Sequence, residues 1–235
     1  MSKIKCILFD CMETLIDVTE LPTSRDYARW AYDGSGVEGY WNNFDEFFET
    51  YIEAKERIIK RLPKNKEHNL IERFEEIALL NFKDNKDIRR EISEKLMKNY
   101  WKTYTQKCYI KEDVANILPI LANKYQLGVV SNFVVKDGVE ELLVSHGIGD
   151  YFNSIITSVN VGWRKPHENI YNIALQHFKV SPWEVLFVGD DYINDYVQPK
   201  KLGLNVLLLD RYNNFKHITE RVCDFYELTD NLNRL

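Results

Sequence analysis

The stretch IKCILFDCMETL, residues 4–15, decides how the rest of the chain is read. An apolar run, IKCILF (4–9), leads straight into a carboxylate at Asp10. Thr14 follows four positions later, with Met12 between them. An apolar run without strict alternation fits a strand covered on both faces, as in a parallel sheet. Asp10 then stands just past the carboxyl end of that strand, where open α/β sheets bind their ligands.

Working outward, four more runs have the same character: LGVV (127–130), SIIT (154–157), VLFV (185–188) and NVLLL (205–209). Helical patterns lie between and around them. KEDVANILPILANKY (111–125) precedes the second strand, and KDGVEELLVSHG (136–147) follows it and stops on a glycine. KPHENIYNIALQHFKV (165–180) opens with Pro166 near its start, a position where a missing N–H costs nothing. Strand and helix in alternation predict an open parallel sheet with right-handed crossovers, an α/β, Rossmann-like core.

Residues 17–106 read differently. NNFDEFFETYIEAKERIIKRL, KEHNLIERFEEIALLNF and KDIRREISEKLMKNYWKTY carry apolar residues at helical spacing with charges between them, and no strand pattern interrupts them. DGSGVEG (33–39) marks a turn. The expected organisation is a core formed by residues 1–16 and 107–235, with an inserted all-helical domain over 17–106. Most aromatic residues fall in helical patterns along the chain and read as core packing rather than a cofactor box.

The balance of charge narrows the partners. The chain has 235 residues and a net charge of −5, with no basic block, so nucleic acid is not an expected partner. No apolar run approaches the length of a membrane span, and the N-terminal segment reads as neither signal peptide nor anchor. Cys6, Cys11, Cys108 and Cys223 form no CxxC pair, as expected of reduced thiols in a cytoplasmic protein. The five histidines show no zinc-binding spacing, so all are read as surface or structural. No residue pattern fixes an oligomeric state.

Polar residues cluster just past the strand ends. Strand one ends at Asp10, strand two at Ser131 and Asn132, and strand four at Gly189 and Asp190; Lys165 lies in the loop after strand three. Connectivity therefore brings an Asp, a Ser/Asn pair, a Lys and the group Asp190, Asp191 and Asp195 to one edge of the sheet. Asp191 reads as a solvated or helix-capping residue, Arg164 as structural or exposed, and Tyr171 as core.

In these motifs and their order the chain resembles the haloacid dehalogenase (HAD) superfamily. CILFDCMETL matches the family's first motif, GVVSN the second, GWRKPHENIY the third and GDDYINDYVQPKKLG the fourth. The helical insertion after the first motif is similar to the family's cap. The resemblance implies a hydrolase acting through a covalent aspartyl intermediate on a small anionic, phosphorylated substrate. It implies Asp10 as the nucleophile, with Thr14, Ser131 and Asn132 around it, and Lys165 keeping Asp10 ionised. It also implies Mg²⁺ held by Asp10, the backbone carbonyl of Met12, Asp190 and Asp195.

The departure is Met12, where family phosphatases carry a second aspartate that serves as general acid and base. Met12 keeps the carbonyl and loses proton transfer, a contribution of about 10²–10⁴-fold. Glu13 is adjacent, but neighbouring side chains diverge, so it is not expected to substitute. The resemblance leaves three alternatives. A 2-haloacid dehalogenase would suit the non-acidic residue 12, Asn132 and Tyr171, but not the fourth motif. A phosphonoacetaldehyde hydrolase would need a cap lysine, such as Lys55 or Lys60. A pseudo-enzyme would bind a phosphorylated ligand or a protein without turnover. Arg25, Arg29 and Trp30 are the substrate-recognition candidates in the cap.

Overall fold

A computed structural model describes residues 4–232. In chain order the strands are β1 (Cys6–Phe9), β2 (Asp17–Val18), β3 (Cys108–Tyr109), β4 (Gln126–Ser131), β5 (Ser154–Thr157), β6 (Val185–Gly189), β7 (Asn205–Leu209) and β8 (Arg221–Val222). The helices are α1 (Ser24–Tyr32), α2 (Phe44–Arg61), α3 (Leu70–Asn81), α4 (Lys86–Lys107), α5 (Glu112–Ala122), α6 (Gly138–Ser145), α7 (Ser158–Val161), α8 (Glu168–Phe178), α9 (Gln198–Lys201) and α10 (Phe225–Leu232). The chain divides into two compact units, 1–18 with 109–235, and 19–108. No described helix is long and apolar enough to cross a membrane.

The first unit is built on a six-stranded sheet in the order β5-β4-β1-β6-β7-β8, with every pairing parallel. β1 is central and all four of its residues are buried. Alternate side chains point to opposite faces. Cys6 and Leu8 join Phe187, Val206, Leu208 and the buried face of α8 on one side. Phe9 stacks on Phe225 of α10, with ring centroids 5.6 Å apart. The five strands expected from the sequence are present, two with the expected bounds and three with ends shifted by one or two residues, and β8 adds a short sixth. Pro166 lies ahead of α8 rather than inside it, because His167 is the N-cap and accepts from the Asn169 N–H.

The second unit contains α1 to α4. Three of these helices match the expected patterns; α1, too short to give a clear period, is an addition to them. Each helix begins on a capping side chain, Thr23, Asn43, Asn69 or Asn85, which satisfies an otherwise orphaned N–H. Its core is aromatic: Tyr32 and Trp41 each pack on Phe47 with centroids 4.9 Å apart. Asp17–Val18 and Cys108–Tyr109 pair as a two-stranded ladder. All four cysteines are unbridged.

Candidate active site

The turn after β1 is closed by its own backbone. The Asp10 N–H donates to Val188 O, continuing the ladder to β6 by one step. The Leu15 and Ile16 N–H groups both donate to Cys11 O, and the Glu13 N–H donates to Ile16 O. Among the described residues, none of these backbone bonds ends on the Met12 carbonyl. Glu13 adopts a left-handed conformation, φ 61°, which disfavours a residue with a Cβ by about 1 kcal/mol. Its carboxyl is pushed up by burial, then by the charges of Asp17 and Asp10. Among the described residues, no hydrogen bond joins the Glu13 carboxyl to Asp10 or Asp190.

Lys165 is the centre of the arrangement. Its side chain is 2% exposed, and its Nζ lies 2.9 Å from Asp10 Oδ1 and 2.6 Å from Asp195 Oδ1. Burial acts against the ammonium, but the charges of Asp10 and Asp195 outweigh it and hold Lys165 protonated. Asn132 fixes the lysine's backbone on both sides: its Oδ1 accepts from the Lys165 N–H at 2.6 Å, and its Nδ2 donates to Lys165 O at 3.0 Å. Asn132 thus aims the lysine. Ser131, at the end of β4, is 1% exposed.

The acids sit around this ammonium. One carboxylate oxygen each from Asp10, Asp190 and Asp195 lies within 4.8 Å of the other two. Thr14 donates to Asp190 Oδ1 at 3.2 Å, so it supports Asp190 rather than Asp10. Asp195 Oδ2 accepts from the Asp191 N–H at 3.1 Å. Gly189 is required here, because a Cβ on it would come within 2.4 Å of Asp195 Oδ2. Asp191 caps the following turn, accepting from the Ile193 and Asn194 N–H groups. Burial, then the charges of Asp10 and Asp195, raise Asp190 to about 8. Burial also raises Asp195, to about 7, against the pull of Lys165. Three carboxylates around one ammonium leave excess negative charge, which a divalent cation would neutralise.

The donor set fits such a cation. Asp10 Oδ1 is buried and lacks an aligned hydrogen bond despite its proximity to Lys165. Asp190 and Asp195 could supply hard oxygen ligands beside it.

Other residues marked from the sequence have local partners. In the helical unit Arg25 pairs with Asp45, and Arg29 with Asp33 at 3.3 Å. The Arg29 guanidinium lies 3.9 Å from the centre of the Phe44 ring. Trp30 packs on Tyr27, Lys55 reaches Ser24 at 3.5 Å, and Lys60 pairs with Glu56 at 3.8 Å. In the sheet unit Arg164 is exposed. Tyr171 is fully buried, and its hydroxyl donates to Asn194 O.

A family profile described as haloacid dehalogenase-like hydrolase matches residues 40–209. The chain belongs to this family. The match takes in Ser131, Lys165, Asp190 and Asp195 and starts after Asp10, whose place rests on the geometry above. A haloacid dehalogenase-like hydrolase domain-containing protein 3 from Xenopus laevis is 37% identical over 84 residues, 36% of this chain and 34% of its own length. The aligned part thus spans about a third of that relative. A glyceraldehyde 3-phosphate phosphatase from Methanocaldococcus jannaschii is 26% identical over 205 residues, 86% of this chain and 82% of that protein. A 2-haloacid dehalogenase from Pseudomonas syringae pv. Tomato DC3000 shares the HAD fold, with a TM-score of 0.78 at 20% identity over 98% of this chain and 99% of that one.

Proposed function

We propose that the chain is a cytoplasmic, Mg²⁺-dependent phosphatase. It removes phosphate from a small phosphorylated metabolite through an aspartyl phosphate on Asp10. The observation that carries this reading is the Lys165 ammonium held between Asp10 and Asp195, with the Asp190 carboxylate beside them. Similarity to a glyceraldehyde 3-phosphate phosphatase over most of both chains supports the phosphorylated substrate.

Lys165 holds one oxygen of Asp10 and keeps the carboxylate ionised. The other oxygen attacks phosphorus, the bond to the ester oxygen breaks, and the alcohol leaves. With Met12 in place of an acid, the leaving oxygen takes its proton from water, and this step is slow. Water then attacks phosphorus, the aspartyl bond breaks, and phosphate and free Asp10 are released. Asp10, Asp190, Asp195 and the Met12 carbonyl are the residues that would hold Mg²⁺. The ion would neutralise charge on the phosphoryl oxygens. The helical unit, in this reading, is a cap that sets specificity.

The dehalogenase alternative rests partly on Asn132 and Tyr171. Both are engaged by backbone groups, of Lys165 and Asn194 respectively, which weighs against it. The test is phosphate release from p-nitrophenyl phosphate and glyceraldehyde 3-phosphate with and without Mg²⁺, beside chloride release from 2-chloropropionate. The proposal expects phosphate release that needs Mg²⁺. Chloride release, or inertness toward every compound, contradicts it.

A further inference from the structure

The turn that carries Asp195 is not an ordinary helix. Residues Tyr192–Val197 form a π-helical turn, and the Gln198 N–H donates to Ile193 O, five residues back. π turns are uncommon and need a local cause. In this register Asn194 O should receive the N–H of residue 199, the next in line. Residue 199 is Pro199, which has no N–H to give. A carbonyl without a donor is costly, and the α register offers no escape, because there Pro199 would leave Asp195 O without its donor and crowd it. The structure resolves the conflict from another element. Tyr171, on α8 and fully buried, donates its hydroxyl to Asn194 O at 2.5 Å. Its ring is fixed against Phe187 of β6, with centroids 5.8 Å apart.

We propose that the Tyr171 hydroxyl stands in for the N–H that Pro199 lacks, and so holds the 192–197 turn in the π register that delivers Asp195 to Lys165. Tyr171 is a positioning residue: its hydroxyl bonds Asn194 O, and it acts through that backbone. Without it Asn194 O loses its donor, and the turn is no longer held in this register. Each residue added to or removed from a helical turn rotates the residues after it by about 100°. Asp195 lies inside the turn, fully buried, with one oxygen on Lys165 and the other on the Asp191 N–H, so it tolerates little displacement. Burial, followed by the charges of Asp195, Asp10 and Asp191, holds the phenol protonated well above the usual range, so it remains a donor. The importance of this link for turnover rests on the phosphatase reading; the register itself does not.

The test compares wild type, Tyr171→Phe, Pro199→Ala and the double variant. It reads amide hydrogen exchange over 192–198 and steady-state turnover of p-nitrophenyl phosphate with Mg²⁺. Tyr171→Phe keeps the ring and removes only the donor, whereas Pro199→Ala restores an N–H to the backbone. Loss of one buried bond predicts about tenfold faster exchange in Tyr171→Phe and about tenfold lower kcat, with KM little changed. The double variant should recover most of both losses, because the alanine introduced at position 199 supplies the donor that Tyr171 no longer gives. Wild-type behaviour in Tyr171→Phe, or a double variant as impaired as the single, overturns the proposal. If Tyr171→Phe fails to fold, recovery of folded protein in the double variant supports the proposal and failure of both overturns it. If wild type does not turn over the ester, the phosphatase reading fails, and exchange alone decides the role of Tyr171.

Discussion

Asp113 and Asp195 are buried carboxylates of the same unit, and each accepts from a cation and from a backbone N–H. Asp113, in the first turn of α5, accepts from Arg211 at 2.8 Å and from the Phe225 N–H at 2.9 Å. Burial works to raise it, but these two donors outweigh burial and hold it below the usual range. Asp195 has Lys165 and the Asp191 N–H, yet it is raised. The difference is in the neighbours. Asp113 has a cation to itself, while Asp195 shares Lys165 with Asp10 and stands near Asp190. The first arrangement stabilises the fold. The second concentrates like charge at a cost to stability, as expected where a site is built for an ion and an anionic substrate.

Breaking each arrangement in turn separates the two. Lys165→Met should leave buried carboxylates without their counter-ion, costing about 3–5 kcal/mol in a urea melt, and should reduce phosphate-ester turnover about 10²-fold or more. Asp113→Ala should cost about 3 kcal/mol by stranding Arg211, with kcat unchanged. A loss of turnover in folded Asp113→Ala, or none in Lys165→Met, would erase the distinction.

Titration sharpens the same contrast. Asp190 and Asp195 have raised pKa values, so the folded state binds more protons than the unfolded chain between about pH 4 and 8. Their contribution is therefore lost as pH rises through that window. Asp113 works in the opposite sense: its contribution is present above the unfolded carboxylate value and is lost as pH falls through its lowered folded value. In EDTA, Tm should fall by about 5 °C between pH 6 and pH 9. Mg²⁺ should raise Tm more at pH 8 than at pH 6, because binding requires ionised acids. A Tm in EDTA that rises over this range, or no Mg²⁺ effect at either pH, contradicts the charge assignment.

The smallest expected effect is at residue 12. Met12→Asp restores an acid beside the nucleophile and should recover only part of the proton-transfer contribution, because the turn is shaped around a methionine, raising phosphate-ester turnover about tenfold. No rise at all would show that proton transfer is not what Met12 removed.

The parallel sheet and its site edge are legible in the sequence because buried strands are apolar throughout and the polar residues fall where those strands stop. CILF running into Asp10, and VLFVG running into Asp190, carry both signals at once. The sequence places Lys165 only as a loop residue. What aims it, the two bonds from Asn132, depends on contacts between residues distant in the chain. Thr14 is expected beside Asp10, yet it serves Asp190, because the turn closed by Cys11 O carries it toward β6. Helix α1 escapes a reading by periodicity because nine residues give too short a period, although Thr23 and Asp26 form a capping box that marks its start. The π turn has a sequence trace in Pro199, but that trace becomes readable only with Tyr171 beside Asn194.

The central claim is that Asp10 is a working nucleophile. Peptide mass mapping after incubation with acetyl phosphate and Mg²⁺ tests it most directly. The account predicts a phosphoryl group on Asp10 that persists long enough to detect, since Met12 slows its hydrolysis, and none on the Asp10→Asn protein. An adduct on another residue, or none on a folded, Mg²⁺-bound wild type, would contradict it.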